Sequence, residues 1–399
     1  MKRRSFIKQS ALASTAMMAP AFLQSFPPAR RYASRAGKVL VVVQFSGGND
    51  GLNTVIPYSN DLYYNLRPNL AVPSAEVLRM NDELALNPAM TDLKSLYDDG
   101  LLGVLGNVGY PNPDRSHFRS MDIWHTGSSS DEYWQSGWLG RYLDSECAGC
   151  ERPYHALELD DGLSLALKGE HRSGFAMSSP EQLRKNTDGA LLKALAKYEE
   201  VHNHDNESAA YLYKTLVDTQ ASADYLVEQA GMGRAEGDYP PTAFGQDLRQ
   251  IAGLILADTD TRIFYVSLTG FDTHANQKGR QERLLEQYAQ GMKAFVSDMK
   301  SNGLLNDVLV MTFSEFGRRA RENGSRGTDH GTANNIFLLG GGLKQAGCYS
   351  KSPDLANLDN DDLVYQTDFR QVYAEILNKW LEADPVSILK HRFDPLGLL

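Results

Sequence analysis

Apolar residues along this chain come in short unbroken runs. Residues 38–45 (KVLVVVQF), 101–108 (LLGVLGNV), 262–268 (RIFYVSL) and 307–313 (DVLVMTF) are such runs, and 336–339 is a shorter one. A β-branched run without polar alternation predicts a strand buried on both faces, as in a parallel sheet covered by helices. Between the runs the period changes. Pro111, Pro113, Asp114 and Ser116 supply the chemistry of a helix start, and Phe118, Met121 and Trp124 with His125 follow at helical spacing. Phe244, Leu248, Ile251 and Leu254 repeat the spacing, and a helix over 281–300 carries Leu284, Tyr288, Met292, Phe295 and Met299 on its apolar stripe. Residues 367–383 read as a terminal helix. Residues 160–240 are polar, helical and rich in Ala, Glu, Gln and Lys, which marks a helical insertion or cap. The pattern predicts an α/β protein with a mostly parallel central sheet flanked by helices, its site at the carboxyl ends of the strands.

Those strand ends carry chemistry. Asp50 follows the first run in the turn Ser46-Gly47-Gly48-Asn49-Asp50-Gly51, and Ser116 with His117 follows the second. Asp272 and His274 follow the third, Glu315 and Arg318 the fourth, with Asp329 and His330 a little further on. Neutral imidazoles and carboxylates are the donors that hold zinc- or manganese-type ions. Singly, each residue also fits a turn, a helix cap or a satisfied loop position. Their joint placement is what points to a metal.

Composition narrows the classes. The 399 residues are 42% hydrophobic and 23% charged, enough for a large core, and the formal net charge of −10 argues against a nucleic-acid binder. The charge is uneven: residues 1–36 hold seven basic residues and no acidic one. Lys2-Arg3-Arg4-Ser5-Phe6-Ile7-Lys8 followed by a small, apolar, uncharged stretch reads as an export signal of twin-arginine type, recognised by the twin-arginine translocation machinery. Pro20, Pro27 and Pro28 make that stretch a poor membrane anchor, and no later segment is apolar enough to span. A mature chain over 37–399 is then periplasmic or otherwise exported, without a transmembrane span, and near −17 in charge. Cys147 and Cys150 form a C-x-x-C pair, expected as a small disulfide loop, with Cys348 left over.

The stretches Gln44-Phe45-Ser46-Gly47-Gly48-Asn49-Asp50-Gly51-Leu52-Asn53-Thr54, Arg115-Ser116-His117-Phe118, Gly270-Phe271-Asp272-Thr273-His274, Ser314-Glu315-Phe316-Gly317-Arg318 and Asp329-His330-Gly331 resemble the hallmarks of the domain of unknown function 1501 family. That family is similar to the sulfatase and alkaline phosphatase superfamily, so the resemblance implies an alkaline phosphatase-like domain over 37–399. It also implies divalent ions held by Asp50, Asp272, His274 and His330, to which the strand-end residues themselves add Glu315 and Asp329, with zinc, manganese or calcium as the expected metal. Ser116 then stands at the nucleophile's position, His117 is an acid or base or packs under the loop, and Arg115, Arg318 or Arg319 clamps an anion. Ser314 and Glu315 stand where the superfamily commonly has an Asp-His pair, and the C-x-P-x-R signature of sulfatases is absent. The implied function is an exported metal-dependent hydrolase of phosphate or sulfate esters. The alternative is a catalytically degenerate member that binds an extracytoplasmic polymer or a partner protein.

Overall fold

Three of the apolar runs lie side by side at the centre of one sheet. In the computed structural model, which describes residues 37–146, 153–187, 207–344 and 346–399, strand β1 (Val39–Ser46) is flanked on both sides by parallel neighbours and is buried along almost its whole length. The other strands of its sheet are β2 (Leu102–Gly109), β3 (Ala156–Leu159), β4 (Phe175–Ala176), β5 (Ile263–Thr269), β6 (Val308–Ser314), β7 (Asn334–Gly340), β8 (Gly347–Cys348) and β9 (Thr367–Asp368). They form a nine-stranded sheet in the order β8-β2-β7-β6-β1-β5-β3-β4, with β9 also pairing β2. The segment 1–36 and the cysteines 147 and 150 lie outside the described residues.

The sheet is mostly parallel, as expected, with one antiparallel member. β7 runs antiparallel to both β6 and β2. No crossover helix separates β6 from β7, and without one the chain can only return in the opposite direction. The loop between them therefore opens on the edge where β1, β2, β5 and β6 all end. One edge thus collects every strand-end segment singled out above.

Alternation along β1 divides its side chains between two apolar layers. Leu40 and Val42 join Ile123 and Trp124 of helix α1 (His117–Thr126) and Phe369, Val372 and Tyr373 of helix α5 (Phe369–Glu375) in one core. On the other face Phe45 meets Tyr288 of helix α4 (Gln277–Ser301) edge-on, and Phe244 of helix α3 (Ala243–Leu256) lies beside Tyr288. Helix α4 starts four residues earlier than its apolar stripe, because Gln277 and Gln281 are buried polar positions that hydrophobic spacing does not register. The terminal helix is α-helical over Phe369–Glu375 and continues as a π-turn over Ile376–Trp380. Within residues 160–240 the structure places β4 at the sheet margin and helix α2 (Glu207–Ala230). Among the described residues, no helix is long and apolar enough to cross a membrane.

Candidate metal centre

Three imidazoles converge on one carboxylate at the strand-end edge. Asp272 Oδ1 lies 3.1 Å from Nε2 of His274, 3.3 Å from Nε2 of His330 and 3.7 Å from Nε2 of His117. Nε2 of His274 and Nε2 of His330 are themselves only 3.0 Å apart. Ligand atoms of His117, Asp272 and His330 fall within 4.8 Å of one another, the spacing of a single coordination sphere.

Each ring is oriented from behind by an acceptor on its other nitrogen. Nδ1 of His117 is 2.9 Å from Oε1 of the buried Glu315, Nδ1 of His330 is 2.8 Å from the Arg115 carbonyl, and Nδ1 of His274 is 3.4 Å from Oδ1 of Asp329. With an acceptor behind it, each Nδ1 can carry the ring proton and present the Nε2 lone pair forward, the arrangement that orients metal-ligating histidines. His117 Nε2 is buried and has no hydrogen-bond partner. In that tautomer the lone pairs face one another and a carboxylate, and a cation is the group that fits them.

Burial acts to raise Asp272, but the hydrogen bond and charge of Arg318, with His274 and His330, outweigh it and hold the pKa at about 2. Burial pushes His330 down, which keeps its ring neutral. The hydrogen bond to Glu315 pushes His117 up, and the hydrogen bond from Asn323 holds Asp329 low. The Phe316 ring packs 4.8 Å from both His117 and His330 and fixes the angle between them.

The predicted residues divide into groups. His117, Asp272, His274 and His330 meet, with Glu315 and Asp329 behind two of the rings rather than among the converging atoms. Arg318, expected to clamp an anion, is buried and donates to the carbonyls of Gly47, Gly48, Phe271 and Thr328 as well as to Asp272 at 2.7 Å, so its donors face protein oxygens. Arg115 pairs with Asp362. Asp50, expected as a ligand, is buried, with Oδ2 2.5 Å from Nη1 of Arg67 and accepting from Gln277; no hydrogen bond joins it to the imidazoles. Ser116 is exposed at the N-cap of α1, its hydroxyl makes no capping bond, and its N–H goes to Asp114 Oδ1 at 2.7 Å. Arg67 and Gln277 escaped sequence reasoning. An isolated Arg in a polar stretch and a Gln at a helix start carry no periodic signal.

The turn after β1 explains how these segments approach. Gly47 has φ +118°, and a Cβ there would lie 2.4 Å from the Asp272 nitrogen; Gly48 has φ +72°, and its Cβ would lie 2.2 Å from the Phe316 ring. Only glycine allows both the conformation and the contact.

The chain belongs to the family described as "Protein of unknown function (DUF1501)", which matches residues 37–381. No curated protein matches its sequence. Among solved structures it is similar to the C-terminal periplasmic domain of EcEptC from Escherichia coli in complex with Zn, at 10% identity and a TM-score of 0.37, covering 77% of this chain and 75% of that one. It is also similar to the lipoteichoic acid synthase LtaP from Listeria monocytogenes, at 11% identity and a TM-score of 0.34, covering 80% and 69% of the two chains. A protein in the alkaline phosphatase superfamily from Vibrio parahaemolyticus is similar at 11% identity and a TM-score of 0.32, covering 80% and 63%.

Proposed function

We propose that this protein is an exported metal-dependent hydrolase of phosphate or sulfate esters, its cation held by His117, Asp272, His274 and His330. The observation that carries the reading is the convergence of three Nε2 atoms, each with its Nδ1 anchored, on Asp272 Oδ1. Three nitrogens and one oxygen form a donor set suited to zinc. When bound, such an ion supplies positive charge for a developing anion and lowers the pKa of a water or hydroxyl beside it. Ser116 is the nucleophile in this reading: its neighbours Arg115 and His117 both contribute to the cluster, and its hydroxyl is not engaged in capping. His117 is a ligand in this reading, its Nδ1 held by Glu315 and its Nε2 turned toward Asp272.

The commitment of Arg318 and Asp50 to protein partners favours a second reading, a metal-bearing binding protein without turnover. One experiment separates the two. Purified protein is analysed for zinc, manganese and calcium, then assayed on aryl phosphate and aryl sulfate. Stoichiometric metal lost in Asp272→Ala and His330→Ala, with turnover lost in Ser116→Ala, supports the hydrolase. Metal without turnover supports the binder, and protein without metal removes both.

A further inference from the structure

A buried polar clasp lies beneath the imidazole cluster, centred on Gln277 at the first position of α4. Its side chain has no exposed surface and uses its whole hydrogen-bonding capacity. Oε1 accepts from Thr273 Oγ1 at 3.1 Å and from Thr328 Oγ1 at 2.6 Å, while Nε2 donates to Asp50 Oδ2 and to Gln281 Oε1 at 3.2 Å. Thr273 stands between Asp272 and His274, and Thr328 immediately precedes Asp329 and His330. One amide oxygen therefore ties the two loops whose imidazoles lie 3.0 Å apart. The backbone joins the same pair of segments through Thr328 N–H to the Thr273 carbonyl at 3.3 Å, Asn276 N–H to the Ser325 carbonyl at 3.1 Å and Gln277 N–H to the Arg326 carbonyl at 3.0 Å. The clasp is anchored from below: Arg67 holds Asp50 and also donates to the carbonyls of Ala320, at 2.8 Å, and Arg319, at 2.9 Å, just after Arg318.

We propose that Gln277 is a positioning residue for the metal centre, setting the separation of the Asp272–His274 and Asp329–His330 segments, with Asp50 as its buried anchor rather than a ligand. The inference rests on the metal reading above. Metal affinity demands ligand placement within about 0.5 Å, and the hydroxyl groups of Thr273 and Thr328, held by one shared acceptor, add a side-chain restraint at the residues next to the imidazoles. The same helix contains an internal control: Gln281 is also buried and donates to the Asp50 carbonyl at 2.9 Å, yet it bonds to neither loop directly.

The test is Zn²⁺ affinity, by competition with a chromophoric chelator, in full-length wild type, Gln277→Met, Gln281→Met and the double variant Thr273→Val/Thr328→Val. Methionine keeps the volume of glutamine and removes its hydrogen bonds. Gln277→Met is expected to weaken Zn²⁺ binding about 10–100-fold, as loss of an outer-shell partner does, and Gln281→Met by less than about 3-fold although both lose stability. The double variant removes the hydroxyls while leaving Gln277 in place, is expected to reproduce the loss, and decides the matter if Gln277→Met does not fold. Wild-type affinity in Gln277→Met or in the double variant, or an equal loss in Gln281→Met, overturns the inference and leaves the metal reading standing. A wild type that binds no Zn²⁺ overturns both.

Discussion

Nδ1 of His117 lies 2.9 Å from Oε1 of Glu315, a carboxylate without exposed surface that also accepts the Gly47 N–H at 2.8 Å. The carboxylate stands behind the ring and turns Nε2 toward Asp272. Glu315→Gln removes the negative charge but keeps the shape, so the elevated pKa of His117 is expected to fall and Zn²⁺ affinity to drop by about 10–100-fold. Imidazole ¹⁵N NMR of His117 against pH, with a Zn²⁺ titration, measures both. An unchanged His117 titration would show that the carboxylate does not govern the ring.

Gly48→Ala places a methyl group where the Phe316 ring stands. The ring must move, and with it the support of His117 and His330. The expected result is a loss of metal affinity larger than that of Gly100→Ala, a positive-φ glycine whose Cβ would meet nothing within 4 Å. Both variants carry backbone strain of about 1–2 kcal/mol. The comparison in a Zn²⁺ titration isolates the steric part.

Acid sensitivity is expected from His125, buried on α1 with Nε2 3.0 Å from the Tyr265 hydroxyl and 3.3 Å from Gln44 Oε1. Burial pushes its pKa from 6.5 down to about 4. The folded state thus binds fewer protons than the unfolded one between these values, so the contribution is present above pH 6.5 and is lost as pH falls to 4. The loss amounts to about 3 kcal/mol. Urea unfolding of wild type and His125→Gln at pH 7 and pH 5 tests it: the stability gap between them should shift in the variant's favour at pH 5.

Glu158 on β3, paired in register with Tyr265, gives the opposite sign. Burial raises its pKa from 4.5 to about 7. Its folded state holds the extra proton, so its contribution is present below pH 4.5 and is lost as pH rises through 7, again by about 3 kcal/mol. Glu158→Gln keeps an acceptor for the Ser164 N–H and is expected to gain on wild type between pH 5 and pH 8 in the same unfolding measurement. A gap that does not change with pH would show that Glu158 is already ionised at pH 5.

The C-terminal segment is fastened by Glu375, whose buried carboxylate accepts the N–H groups of Leu396, Gly397 and Leu399 at 2.6, 2.7 and 2.9 Å. Hydrogen bonds to a charged acceptor contribute about 1.5–3 kcal/mol each at most, so Glu375→Ala is expected to destabilise by several kcal/mol. Amide hydrogen exchange should show Leu396–Leu399 losing protection first. Retained protection would mean that apolar burial of Leu398 and Leu399 holds the segment without the carboxylate.

Much of this was legible in the chain itself. The unbroken β-branched runs determined the central strands, because a strand covered on both faces excludes polar alternation. The glycine-containing turns placed Asp272, His274 and His330 at strand ends. What sequence could not supply was which side chains share an acceptor. Asp50 and Asp272 both follow an apolar run, yet one is paired through Oδ2 with Arg67, an arginine that no periodic signal marks, and the other stands open to three imidazoles. Arg318 turns inward because the carbonyls of Gly47, Gly48 and Phe271 converge on it only after β1, β5 and β6 are aligned. The direction of β7 was also decided in three dimensions, by a return loop without a crossover helix. Periodicity reports burial, one residue at a time; pairing between segments hundreds of residues apart is set by the tertiary fold, and it is that pairing which makes a cluster of acidic and imidazole side chains into a candidate metal centre.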